Sequence, residues 1–280
     1  MSAPIAYIPR MLELHAEQPP YRWAEPGSLP RAAPVPHLSN ARTVLVSLAG
    51  IRRIEQRPYQ LRGDTMLRLV PVDADPAGLV VEHFGYKLAR AQADIESVAP
   101  FAALRALAAD GVIGAVAPDA VCCMGASYSQ RRVTEELVPA IVNAVQQSGA
   151  DLALIVPACP LDHQTAALVA RGVEMEGTAT LVLSGARDIS ERVGASRTVY
   201  VHAPLGWLLG MPGDREGQRA RLEAALEAGV ALPGDGRIAD LPPAYPTGAW
   251  GTPDALAQPD LLAWEDREYR AGYDTGATRG

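Results

Sequence analysis

The chain has 280 residues and a formal net charge of −7, with acidic and basic side chains interspersed. This balance gives no basic face for nucleic acid or an anionic membrane; no apolar run reaches spanning length, and no basic-then-apolar leader opens the chain. Three cysteines, two of them adjacent at Cys122 and Cys123, are too few and too close for a disulfide framework, so a cytoplasmic protein is expected.

Residues 1–40 carry scattered prolines (Pro19, Pro20, Pro26, Pro30, Pro34, Pro36) around Tyr21 and Trp23 and read as an extended arm wrapped on the body or on a partner. The first buried strand is expected over Thr43–Ala49, then a basic loop with Arg52, Arg53 and Arg57. Short strands follow at Leu67–Val70 and Leu79–Glu82, the second ending in His83-Phe84-Gly85-Tyr86. A helix over Phe101–Ala109 stops at Asp110-Gly111, and a strand over Ile113–Ala117 precedes Val121-Cys122-Cys123-Met124-Gly125. The spacing of Val133, Leu137, Ile141 and Val145 predicts a helix within Ser129–Gln147, ended by Gly149. Further strands are expected at Leu152–Val156, Ala179–Leu183 and Thr198–Val201, and an Arg- and Glu-rich helix over Asp214–Ala228. Alternating strands and helices predict an α/β fold: a largely parallel sheet with helices on both faces, three-layer and Rossmann-like, as one large domain or two lobes. The catalytic domain is placed at 41–230, and 231–280 is an irregular C-terminal tail. Abundant Ala, Gly, Pro and Arg beside a single lysine, Lys87, suggest a high-GC bacterial source.

The richest chemistry lies in LALIVPACPLDHQTAALVAR, 152–171. A buried strand ends at Pro157, and Thr165, Leu168, Val169 and Val173 then recur at helical spacing. Open α/β sheets bind ligands beyond the carboxyl ends of their strands, so Cys159 sits where free helix N–H groups favour an anion and would lower a thiol pKa. Cys159 is the candidate nucleophile, against the plainer reading of a buried structural cysteine. His163, four residues on, is either its base or cationic stabiliser, or a capping or core histidine. Asp162 caps the helix or, in a catalytic role, orients His163 or donates a proton. Cys122 and Cys123, at another strand end, are core residues or a second thiol that closes a disulfide with Cys159. His83 and Tyr86, at a third strand end, bind or protonate substrate, or satisfy hydrogen bonds in a loop. No zinc-type spacing, P-loop or GxGxxG is present, so neither a metal nor a cofactor is expected.

Several segments together resemble the selenocysteine-type B subunits of glycine, sarcosine and betaine reductases and of D-proline reductase. They are LVSLAGI (Leu45–Ile51), RGDTMLRLVPVDAD (Arg62–Asp75), VVEHFGY (Val80–Tyr86), DGVIGAVAP (Asp110–Pro118), Met124-Gly125, ALIVPACPLDHQTAALVAR (Ala153–Arg171) and HAPLGWLLGMPGD (His202–Asp214). Order and spacing hold from about residue 41 to 229. In such proteins the position of Cys159 is commonly selenocysteine, with a Cys three residues on; the chalcogen attacks the carbon bearing a leaving group, and the second thiol then bridges to it. Here Asp162 replaces that Cys, Lys87 ends a His-x-x-Tyr-Asp pattern, and Glu96 stands for an Asn.

The resemblance implies an oxidoreductase in which Cys159 attacks a small activated substrate, with Met124 and Gly125 near the substrate beside His83 and Tyr86. It also implies an external thiol or thioredoxin-like reductant, and a companion subunit or a homo-oligomer, in some relatives with a pyruvoyl group on the companion. Two alternatives stay open: a redox-neutral racemase, isomerase or lyase using Cys159 as acid–base, and a non-catalytic subunit of a reductase complex. Because strand ends of a parallel sheet share one edge, His83, Tyr86, one of Cys122 and Cys123, and His163 are expected to line one pocket with Cys159.

Overall fold

The computed structural model describes residues 6–14, 21, 23–27, 29–61, 63–233 and 237–243. Arg62, Pro19, Pro20 and the expected tail from 244 onward lie outside the described residues.

The centre is a mixed sheet of β1 (Arg42–Ser47), β3 (Arg68–Pro71), β5 (Ala115–Val116), β6 (Asp119–Cys122), β7 (Leu152–Val156), β8 (Ala179–Ser184), β9 (Thr198–Tyr200) and β10 (Ile238–Asp240). Its order is β10-β9-β8-β7-β1-β6-β3, with β5 also on β1; every pairing is parallel except β3 on β6. A small antiparallel pair, β2 (Ile51–Arg53) with β4 (Leu79–Val81), stands apart. All residues of β7 and β8 are buried, as is β1 after Arg42, as a parallel sheet covered on both faces requires.

The helices are α1 (Tyr7–Leu14), α2 (Leu88–Ala93), α3 (Phe101–Ala109), α4 (Gln130–Arg132), α5 (Val138–Ser148), α6 (Pro160–Met175), α7 (Arg187–Val193) and α8 (Arg215–Val230). They form two sets: α6 packs against α5 and α7, whereas α8 packs against α3. This is the expected three-layer α/β arrangement.

Local chemistry explains the departures from expectation. The strand foreseen at 113–117 is cut short and resumes as β6. From Thr43↔Val116 to Val46↔Val121, β1 advances three residues and its partner five. Pro118 lies in that excursion and has no N–H for the ladder. The helix foreseen from Ser129 contains a π-helical turn at Val133–Leu137. Pro139 follows it, and a wider turn spares the clash between the proline ring and the carbonyl four residues back. Gly149 ends α5 at φ 63, as expected of a left-handed cap.

Arg52 does not lie in a basic loop: it is buried in β2, where Glu82 accepts from its Nε and Nη2. The N-terminal segment is not extended throughout, since α1 is helical, and the segment after 230 contributes β10 to the sheet. Helix α7 and strand β2 also went unforeseen.

Residues 23–27 and 29–32 are tied to α6. Gln164 accepts from the Ala24 N–H, and Glu174 accepts from the Ala32 N–H. Glu174 also pairs with Arg197 and accepts from Thr180, all buried. This ionic knot joins Ala32, α6, β8 and the turn before β9. Removing one partner of a buried pair strands the other charge, so Glu174→Ala is expected to cost about 3–5 kcal/mol. The shift in urea midpoint checks this.

Candidate functional site

Strand β7 ends at Val156, and Cys159 is the N-cap of α6, with extended backbone at φ −130 and ψ 171. Pro160 opens the helix, where its missing N–H is no loss. The cap is reciprocal: the Cys159 Sγ accepts from the Asp162 N–H at 3.4 Å, and Asp162 Oδ2 accepts from the N–H groups of Cys159 and Ala158, both at 2.9 Å. This is a capping box with sulfur in the place of a hydroxyl. The expected cap by Asp162 is therefore made from the third helical position, with Cys159 as N-cap.

The second Asp162 oxygen, Oδ1, lies 3.2 Å from His83 Nε2, although 79 residues separate the two in sequence. His83 Nδ1 accepts from the Gly85 N–H at 2.9 Å. A ring nitrogen that accepts leaves the hydrogen on the other, so Nε2 donates to Asp162. A ring nitrogen of His83, the Cys159 sulfur and an Asp162 oxygen all lie within 4.8 Å of one another, fully enclosed. These are metal-ligand types, the sole such group among the described residues. With its hydrogen on Nε2, however, His83 offers no lone pair there to an ion.

Cys159 differs from expectation in its protonation, and of the two readings of His163 the geometry matches the capping or core one. Burial, and then the adjacent Asp162 charge, push the Cys159 thiol well above its ordinary pKa. The N–H groups of Asp162 and Leu161 act in the expected lowering direction, but inside a closed site desolvation outweighs them. His163 turns away from the sulfur. Its Nδ1 lies 2.6 Å from the Cys159 carbonyl oxygen, and its Nε2 accepts from the N–H groups of Gly185 and Ala186. Nδ1 therefore carries the hydrogen and donates. The ring clamps α6 to the β8–α7 turn, and burial lowers its pKa to about 4.

Tyr86 packs against His83 with ring centroids 4.8 Å apart and donates its hydroxyl to the Ala49 carbonyl at 2.9 Å. Met124 is buried and bridges to Ala49. A Cβ on Gly125 would come within 2.8 Å of Asp162 Oδ1, so glycine there makes room for the carboxylate. Cys122 and Cys123 are buried, unoxidised and outside the His83–Cys159–Asp162 group. Burial raises both of their pKa values. Glu96 lies elsewhere: its carboxylate accepts from the Ala102 N–H and caps α3, and burial raises its pKa.

Fold and site together define an α/β protein with a thiol at the carboxyl edge of a mostly parallel sheet, set between an imidazole and a carboxylate. Over 208 residues the chain is 30% identical to D-proline reductase subunit gamma of Acetoanaerobium sticklandii, a match covering 74% of this chain and 86% of that protein. The chain belongs to the proline and glycine reductase family. No family model matches the chain, and no solved structure matches it. No helix among the described residues is long and apolar enough to cross a membrane.

The His163 clamp has a pH signature. The unfolded chain binds its proton near pH 6.5, and the folded one only near 4. Stability contributed by the neutral ring is therefore complete above 6.5 and lost as pH falls through 4. Urea unfolding between pH 7 and 4 should show an acid slope that is shallower by up to one proton in His163→Gln. Asp162→Asn should lower the thiol pKa of Cys159, because a negative charge is removed while burial persists; the pH profile of alkylation measures this.

Proposed function

We propose that this chain is the thiol-bearing subunit of a reductase complex, in which Cys159 forms a covalent bond to a small activated substrate. The observation that carries the reading is the meeting of Cys159, His83 and Asp162 at the carboxyl end of β7. Membership in a family whose relative is named as a reductase subunit supports it.

The chemistry follows from the groups present. The Cys159 thiolate attacks a carbon next to a carbonyl or imine. A carbon–sulfur bond forms, the bond to an amine or other leaving group breaks, and that group departs with the electron pair and takes a proton. A second thiol then attacks the sulfur of Cys159. A disulfide forms, the carbon–sulfur bond breaks, and the electron pair stays on carbon, which is protonated. The substrate has gained two electrons, and an external dithiol of the thioredoxin class returns the disulfide to thiols.

His83 is the proton carrier of this site and Asp162 its orienting carboxylate. His163, with both ring nitrogens on backbone groups, is a positioning residue for the α6 terminus. Gly125 shapes the wall behind Asp162, and Met124 holds that segment to Ala49. Asp162 stands where relatives carry a second cysteine, so the resolving thiol comes from the reductant or from Cys122 or Cys123. A companion subunit supplies substrate activation, since none of the described side chains is an electrophile.

A second reading, a non-catalytic subunit retained for assembly, draws on the buried and protonated state of Cys159. Intact-mass analysis after exposure to α-amino, α-hydroxy and α-thio carbonyl compounds separates the two. A substrate adduct that maps to Cys159 and is absent in Cys159→Ala is the expected result; full complex activity in Cys159→Ala would establish the assembly reading. Cys122→Ala with Cys123→Ala should leave adduct formation intact. Turnover in that double variant identifies an external resolving thiol.

A further inference from the structure

Three features of the turn after β4 converge on Cys159. The Gly85 backbone lies directly on the thiol: a Cβ built there would sit 2.7 Å from Cys159 Sγ, 2.9 Å from its Cβ and 3.2 Å from His83 Cε1. The same residue's N–H occupies the Nδ1 lone pair of His83. The ends of the turn are held separately. The Glu82 N–H donates to the Gly50 carbonyl at 2.8 Å on one side, and α2 begins at Leu88 on the other. Between them two polar tethers hold the turn, the His83 Nε2–H on Asp162 Oδ1 and the Tyr86 hydroxyl on the Ala49 carbonyl.

We propose that His83–Tyr86 is a latch, in which Gly85 at once roofs the Cys159 sulfur and blocks the basic nitrogen of His83, so that one opening movement uncovers the nucleophile and frees its base. The proposal rests on Cys159 being the reacting group. When the Gly85 N–H leaves, Nδ1 takes up a proton while Nε2 keeps its own. The thiol gives up one proton through the water that the opening admits. The result is an imidazolium beside a thiolate, with no net change of charge in the site and Asp162 held by both the imidazolium and the N–H groups of Ala158 and Cys159.

The titratable groups facing the sulfur are Asp162 from α6 and His83 and Tyr86 from the turn, with Cys123 beyond Asp162 at the end of β6. Of these only His83 carries a basic side chain, so it acts on the thiol beside the relief of desolvation that opening brings. In the closed state the thiol is protected from oxidants and adventitious electrophiles. It becomes reactive when substrate or a companion subunit holds the turn open.

Iodoacetamide labelling of the full chain, followed by peptide mapping of Cys159 across pH, tests this. Gly85→Ala forces the turn off the sulfur; Tyr86→Phe removes one tether without adding bulk and serves if the first variant fails to fold. Both should alkylate Cys159 faster than the parent, by about tenfold or more if the open fraction rises by that factor. Their labelling midpoints should shift to lower pH. Adding His83→Gln should return the midpoint upward while leaving the fast labelling at high pH in place. Folded variants that label no faster than the parent would overturn the latch. Faster labelling whose midpoint ignores His83 would overturn it too, leaving a simple roof. A chain that labels in the expected pattern yet forms no adduct with any activated substrate keeps the latch and loses the reductase reading.

Discussion

The structure depends on how a buried carboxylate is kept without a cation. Asp162 is fully enclosed, and its partners are two backbone N–H groups of the strand–helix turn and the imidazole of His83. Burying an ionised group is tolerated only when its oxygens are satisfied. The cap geometry of α6, the placement of the β4 turn that carries His83 and the absence of a side chain at Gly125 all serve that requirement. Burial, and then the same charge, push the Cys159 thiol upward, so the residue that builds the site also works against a thiolate in it.

This resolves an apparent conflict between helix-terminus chemistry and the protonation of the thiol. N–H groups at the start of α6, those of Leu161 and Asp162, do favour a thiolate at Cys159, but burial and the neighbouring Asp162 charge outweigh them. A thiolate at Cys159 would be a second negative charge in the same enclosure. Only a proton on His83, or departure of water-excluding backbone from above the sulfur, changes that balance.

Much of the fold was legible in the sequence because its main signals are local. The uninterrupted apolar run Leu152–Val156 allows little but a strand buried on both faces, and Gly149 and the prolines mark ends. Helix α3 and strands β1, β7 and β8 lie within a residue or two of expectation. The site was legible only in part. That Cys159 falls between strand and helix could be read from the local pattern, but the partnership of Asp162 with His83 spans 79 residues and leaves no periodic trace. Admitting His163 as base or cationic stabiliser, beside the capping or core reading, followed from its nearness in sequence. Its orientation is decided by the N–H groups of Gly185 and Ala186, which no local pattern announces. Strand β10 and helix α1 were missed because each is short and owes its form to tertiary contacts.

The sulfur cap on α6 has a consequence for how this protein can change. A thiol is a weak, long-range acceptor, and a serine hydroxyl at the same backbone geometry would satisfy the Asp162 N–H better. Position 159 is therefore held below its stability optimum, and a library selected for thermal resistance alone would drift toward serine there. Enrichment of serine under heat selection, with its reversal once turnover is also required, would mark Cys159 as a stability–activity trade-off.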